Sequence, residues 1–203
     1  MTLRFEPSSH RYFWNDALVP NVTSILAPLV DYSRMPWAML ERARLEGTAI
    51  HKMIELYVAD DLDEDSLPEW LRPRLKAFRD FEIDTGFNVE WSELHVYHVA
   101  HKYAGTLDLV GPMANDNALA VIDIKRSLFA GPAIGLQLAA YLEAENDRRK
   151  REKLPKATKR YALQLQSTGR YKLEPYEDQT DFAVFLALLT LKRWRETHES
   201  SQS

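Results

Sequence analysis

The chain predicts an α/β fold: a central mixed sheet that contains an antiparallel meander, flanked by helices. Three observations carry this. Residues 91–125 alternate between apolar and polar with a period of two, in three segments joined by short connections. Before and after them, apolar residues recur at steps of three and four, the period of helices packed on one face. No repeat and no linker divides the 203 residues, so a single domain spanning 1–203 is expected.

The elements follow in order. Arg11 to Pro20 reads as a small hairpin turning at Asn15-Asp16. Val22 to Leu26 offers capping residues before a short helical turn. Pro36 suits the first turn of a longer helix, with Ser33 as its cap. In that helix Leu40, Ala43, Gly47, Ile50, Ile54 and Tyr57 form a buried stripe, and Arg44, Thr48, His51 and Glu55 lie on the adjoining one. A second helix is expected from about Pro68 to Thr85, stopped by Gly86. Strands follow at Trp91 to Val99, Thr106 to Val110 and Leu119 to Lys125. They are separated by a turn at Lys102 to Gly105 and a polar loop at Gly111 to Asn117. A helix then spans Ala133 to about Arg151. Tyr161 to Gln166 and Arg170 to Leu173 flank Ser167-Thr168-Gly169 as a hairpin. The last helix is expected from about Asp178 to Glu196.

Composition bounds the chemistry. Hydrophobic residues make up 45% and charged residues 28%, a globular balance. No apolar run approaches the roughly 20 residues that span a bilayer, and no signal segment is seen, so a cytoplasmic protein without membrane contact is expected. The absence of cysteine excludes disulfides, thiolate metal sites and a cysteine nucleophile. The net charge of -4 argues against a basic coat for nucleic acid, but the charge is uneven. Asp60 to Asp65 is acidic. Arg148 to Arg160 is basic, a solvated helix end or a track for phosphates.

The chemistry centres on Val121-Ile122-Asp123-Ile124-Lys125. Alternate strand residues share a face, so Asp123 and Lys125 point the same way and Ile122 and Ile124 the other. A carboxylate there can bind a hard divalent cation, and an ammonium can stabilise negative charge. If the strands pair antiparallel around the Gly111–Asn117 loop, Asp108 comes within reach of Asp123. Two such carboxylates repel unless a cation lies between them. Glu93, one strand earlier, is a third candidate carboxylate. His51 can present an imidazole from the helix, with Glu55 one turn on to orient it. The spacing of His95, His98 and His101 makes no convincing metal trio, and Tyr12, Phe13 and Trp14 read as packing residues.

The order Gly47…His51, Gly105-Thr106-Leu107-Asp108, Asp123-Ile124-Lys125 and Gln137…Tyr141 resembles the RecB-like branch of the PD-(D/E)XK nuclease superfamily. The second acid here is Asp rather than Glu, and no Pro precedes Asp108. The aromatic N-terminal hairpin and the Trp-containing final helix are similar to small phage and prophage exonucleases. The resemblance implies a restriction-endonuclease-like core that hydrolyses phosphodiester bonds of DNA, single-stranded or end-bearing duplex, in phage-type recombination or processing. It implies Mg²⁺ or Mn²⁺ held by His51, Asp108, Asp123 and the Ile124 carbonyl. It makes Lys125, Asp108 and Asp123 catalytic, and Gln137 and Tyr141 supports of the site or contacts to DNA; Glu93 and Glu55 stand beside them as candidate metal-binding or supporting residues on their positions alone. The expected setting is the cytoplasm of a bacterial host or phage-infected cell. A recombination or single-strand-binding protein would be a fitting partner, and the resemblance leaves an oligomer open. Two readings compete: a structure-specific or restriction-type endonuclease, and a non-catalytic nucleic-acid-binding module on the same fold. Cleavage of a closed circle favours the first, and metal-independent binding without cleavage the second.

Overall fold

A computed structural model describes residues 2–31, 33, 35–126, 131 and 133–199. The N-terminal segment forms a three-stranded antiparallel sheet of β1 (Leu3–Glu6), β2 (Arg11–Trp14) and β3 (Ala17–Val19). The turn between β2 and β3 has positive φ at both Asn15 (47°) and Asp16 (65°). Those values match the right-handed twist of a two-residue hairpin, and Asn and Asp tolerate them better than other non-glycine residues. The sequence pattern does not announce β1, because four residues carry too little alternation to read as a strand alone.

Asn21 caps α1 (Val22–Leu26), accepting the Ser24 N–H at 2.7 Å. α2 (Trp37–Val58) begins one residue after Pro36, which occupies the cap position; Ser33 instead donates its N–H to Asp31. α3 runs from Arg72 to Thr85, starting later than expected, and ends where Gly86 takes the left-handed conformation.

The central sheet has the order β4-β5-β6-β7-β8. β4 (Trp91–His98), β5 (Tyr103–Met113) and β6 (Ala118–Lys125) form the antiparallel meander. β5 is longer than the sequence suggests at both ends. Tyr103, Ala104 and Gly105 are strand rather than turn, and the loop after β5 shrinks to residues 114–117. The extra length is stabilised by burial of Tyr103, Ala104 and Met113. From β6 the chain crosses through α4 (Ala133–Glu152) to β7 (Lys159–Leu165), which pairs parallel with β6. A parallel pair requires such a crossover. β8 (Tyr171–Pro175) pairs antiparallel with β7, and α5 (Asp181–Glu199) closes the chain. The sheet is therefore mixed and flanked by helices.

Both faces of the sheet are covered. Val110 and Val121 pack with Val22, Leu138, Ala144 and Phe185, from α1, α4 and α5. Leu109, Ile122 and Ile124 pack with Ile50, Ile54, Phe78 and Phe81, from α2 and α3. Ile122 and Ile124 thus anchor β6 from one face while Asp123 and Lys125 project on the other. Among the described residues no helix is long and apolar enough to cross a membrane.

Candidate active site

The site lies where β5 and β6 part. Their ladder ends at the pair Leu109–Ile122, which leaves Asp108 opposite Asp123 one step beyond it. On the other edge of β5, Ser92 pairs with Leu109 and Leu94 with Leu107, so Glu93 stands opposite Asp108. Three carboxylates therefore form a row across β4, β5 and β6. The row coincides with a break in strand geometry. Leu107 and Val110, three residues apart, face the same core, and Leu109 faces the other, so the period-two alternation slips at Asp108. Glu93 has a φ of +48°, an uncommon conformation for a residue with a side chain.

Asp108 fills the gap between the parted strands. Its Oδ2 accepts the Ile124 N–H at 2.6 Å, in place of a ladder bond. Its Oδ1 lies 3.5 Å from His51 Nδ1. The same nitrogen is 3.3 Å from Glu93 Oε1, and His51 Nε2 is 3.2 Å from the Ile124 carbonyl oxygen. α2 places His51 there because Ile50, Met53 and Ile54 bury its neighbouring face. Both ring nitrogens meet acceptors only, so the ring suits the doubly protonated form. Burial opposes that charge, but Asp108, Glu93 and Asp123 outweigh it and raise the His51 pKa to about 9. Burial also raises the Asp108 pKa, to about 7; Asp123 and Glu93 add to the rise, and His51 and Lys125 oppose it.

On the α4 side, Gln137 ties the charges of β6 together. Its Oε1 accepts from Lys125 Nζ at 3.0 Å, and its Nε2 donates to Asp123 Oδ1 at 3.1 Å and to the Tyr141 hydroxyl oxygen at 3.3 Å. The amide thus presents oxygen to the ammonium and nitrogen to the carboxylate, the orientation that charge demands. Lys125 Nζ also pairs with Asp123 Oδ2 at 2.6 Å, although this buried oxygen accepts no well-aligned hydrogen bond among the described residues. The Tyr141 ring lies against the backbone of Gly105. A Cβ there would sit 2.6 Å from Tyr141 Cε1. That contact links the Gly105 and Tyr141 motifs through space, and burial beside Asp123 and Asp108 holds the Tyr141 phenol neutral.

The structure brings His51, Glu93, Asp108, Asp123, Lys125, Gln137 and the Ile124 carbonyl together. Glu55 stands apart, half-buried and paired with Lys52 Nζ at 3.0 Å, and Glu93 takes the place beside His51 that the sequence assigns to Glu55. Among the described residues, His51, Glu93 and Asp108 form a group that could hold a metal ion, with donor atoms within 4.8 Å of one another. A divalent cation fits this donor set: an imidazole and hard oxygens converge at one level of the sheet, with Asp123 Oδ2 alongside and only the His51 and Lys125 side chains as nearby positive charge among the described residues. Sequence reasoning underrates Glu93 and misses the bridging by Gln137. Counting back across the 99–102 turn pairs Glu93 with Asp108, and that signal could have raised its rank.

Three arginines of the basic run are engaged within the protein. Arg149 is buried against Glu145 and Glu90, Arg148 pairs with Glu145 and Glu152, and Arg160 binds Asp181 and two backbone carbonyls. Arg148, Arg149 and Arg160 therefore serve packing, while Lys150, Arg151, Lys153 and Lys156 are exposed, as a solvated helix end requires.

No protein-family model matches the chain, and no curated protein matches it. Similar solved structures include SSO0001, with a TM-score of 0.34 and 21% identity over 57% of this chain. This chain covers 53% of that one, about half its length. Another is the alkaline exonuclease LHK-Exo from Laribacter hongkongensis, with a TM-score of 0.36 and 15% identity, covering 65% of this chain and 71% of that one. LHK-Exo in complex with dAMP gives a TM-score of 0.32 and 13% identity over 91% and 94% of the two chains.

Proposed function

We propose that the chain is a metal-dependent deoxyribonuclease of the RecB-like PD-(D/E)XK type, acting as an exonuclease on DNA ends. One observation carries the reading: Glu93, Asp108 and Asp123 lie in a row across three strands, with Lys125 and His51 at its flanks. Three carboxylates gathered from three strands repel one another beyond what His51 and Lys125 offset, and this supports a bound divalent cation.

Asp108, Asp123, Glu93, His51 and the Ile124 carbonyl would hold Mg²⁺ or Mn²⁺. When bound, such an ion neutralises a phosphate and makes water a stronger nucleophile. The chain's own groups do the rest. Asp108 uses one oxygen to keep β6 in place through the Ile124 N–H and leaves the other to the site. Lys125, steered by Gln137, presents a positive charge to the phosphate as negative charge develops during hydrolysis. Gln137 holds Asp123 and Lys125 at a set separation and is itself held by Tyr141. His51 gives up a proton when it becomes a ligand.

The reading extends to a single domain over 1–203, a cytoplasmic setting, and a role in phage-type recombination or DNA processing. The test is digestion of end-labelled single-stranded and duplex DNA beside a closed circle. With Mn²⁺ the ended substrates should be degraded and the circle spared, and EDTA should stop the reaction. Lys125→Ala should slow cleavage by about 10²–10³-fold, and Asp108→Ala should abolish it. Ended DNA left intact with Mn²⁺ refutes the activity. Cleavage by Asp108→Ala at the parental rate refutes the site.

A further inference from the structure

We propose that His95 binds substrate, donating a hydrogen bond from Nε2 to a nucleic-acid phosphate beside the one that is cut, held in that tautomer by Tyr12 through Thr106. The inference rests on the nuclease reading above and adds a subsite to it.

Three side chains form a relay next to the carboxylate row. The Tyr12 hydroxyl is 2.6 Å from Thr106 Oγ1, and His95 Nδ1 is 2.8 Å from the same oxygen. His95 and Thr106 are cross-strand partners on β4 and β5. They lie two residues along from Glu93 and Asp108, about 7 Å at strand spacing.

The hydrogens of the relay have one fully satisfied arrangement. Tyr12 is 1% exposed, and Thr106 Oγ1 is the only acceptor in reach of its hydroxyl among the described residues. A buried phenol hydrogen without a partner is costly, so Tyr12 donates to Thr106. The Thr106 hydrogen then finds its acceptor at His95 Nδ1. With Nδ1 accepting, the neutral ring carries its hydrogen on Nε2. His95 is exposed, and Nε2 meets no partner among the described residues. The ring is held from its side by Phe5, at a centroid distance of 4.7 Å, and Phe5 packs equally close on Tyr12.

The outcome is an oriented N–H donor, presented to solvent about one nucleotide from the reacting centre. A neutral donor there recognises a phosphate oxygen without competing for the cation, as a carboxylate or an accepting imidazole would. The N-terminal sheet thereby takes part in binding, because Tyr12 sets the polarity of a side chain on the central sheet.

The experiment combines three measurements on the full chain. Nitrogen-15 chemical shifts of His95 report its tautomer directly and should show hydrogen on Nε2. Binding of a short labelled oligothymidylate, with Ca²⁺ in place of Mg²⁺, should weaken about tenfold in His95→Ala and Thr106→Val, the scale of one hydrogen bond. Thr106→Ser, which keeps the hydroxyl, should restore both the tautomer and the binding. In cleavage assays with Mn²⁺ the same variants should raise KM and leave kcat near the parental value. A parental His95 with its hydrogen on Nδ1, or His95→Ala binding the oligonucleotide as tightly as the parent, overturns the proposal. If the parent cleaves no DNA, the nuclease reading falls, while the tautomer and binding measurements still decide the role of His95.

Discussion

In the metal-free protein the His51 imidazolium is the cation that holds Glu93 and Asp108 together, and its loss should be visible as pH-dependent stability. The pKa is raised from 6.5 to about 9 by its acidic neighbours. A group raised in the folded state stabilises fully below its unfolded pKa and loses that contribution as the pH rises through the folded value. Here the window runs from about 6.5 to about 9. The proton affinity gained corresponds to a ceiling of ~3 kcal/mol. The side chain is 31% exposed, and screening brings the expected contribution to ~1–2 kcal/mol. Asp108 acts in the same sense at lower pH, because its pKa is raised from 3.8 to about 7. The assay is thermal unfolding in EDTA between about pH 6 and pH 9.5, for the parent and for His51→Gln. In a domain of this size ~1–2 kcal/mol moves Tm by about 3–6 °C. The parent should lose that much more than His51→Gln above pH 7. Mn²⁺ should flatten the parental curve, since the ion replaces the proton as compensating charge. Parallel curves for parent and variant above pH 7 would refute the assignment of His51 as that cation.

Other perturbations test the supports of the site. Gly105→Ala drives a methyl group into the Tyr141 ring and should cost ~1–3 kcal/mol in urea unfolding, with slower cleavage as Tyr141 and Gln137 shift. Gln137→Ala removes the amide that bonds both Lys125 and Asp123 and leaves their direct ion pair to set the geometry alone. It should lower activity or metal affinity about 10–100-fold while thermal stability stays close to the parent's. Arg149→Ala leaves Glu145 buried with only Arg148 beside it and should destabilise by about 3–5 kcal/mol in denaturant titration, without moving the pH profile of cleavage.

Much of the architecture is legible because its signals are local. Asn15-Asp16 between alternating residues announces a two-residue turn, Gly86 marks a helix end, and the period of two across β4, β5 and β6 announces a meander. The opposition of Asp108 and Asp123 follows from counting across a short turn. Other features depend on distant partners. β1 exists because β2 offers it an edge, and β5 runs past its apparent limits because α1 and α4 cover Tyr103 and pack on Gly105. Arg149 and Arg160 read as surface residues because their partners Glu90, Glu145 and Asp181 lie scattered along the chain, and the pairing is decided by packing.

The candidate site shows why local pattern runs out where chemistry begins. A regular meander would have continued the β5–β6 ladder through Asp108 and Asp123, using the Ile124 N–H in a backbone bond. The strands part there instead, and the Asp108 carboxylate takes over that N–H. The side chain thus replaces a ladder bond and keeps β6 in register while its second oxygen faces His51. The Ile124 carbonyl, released from the ladder in the same way, faces His51 Nε2. One irregularity therefore frees two oxygen donors, and the left-handed conformation of Glu93 adds a third at the same level of the sheet. The departure from ideal strand geometry that defeats a period-two reading is what gathers the oxygen atoms a hard cation requires.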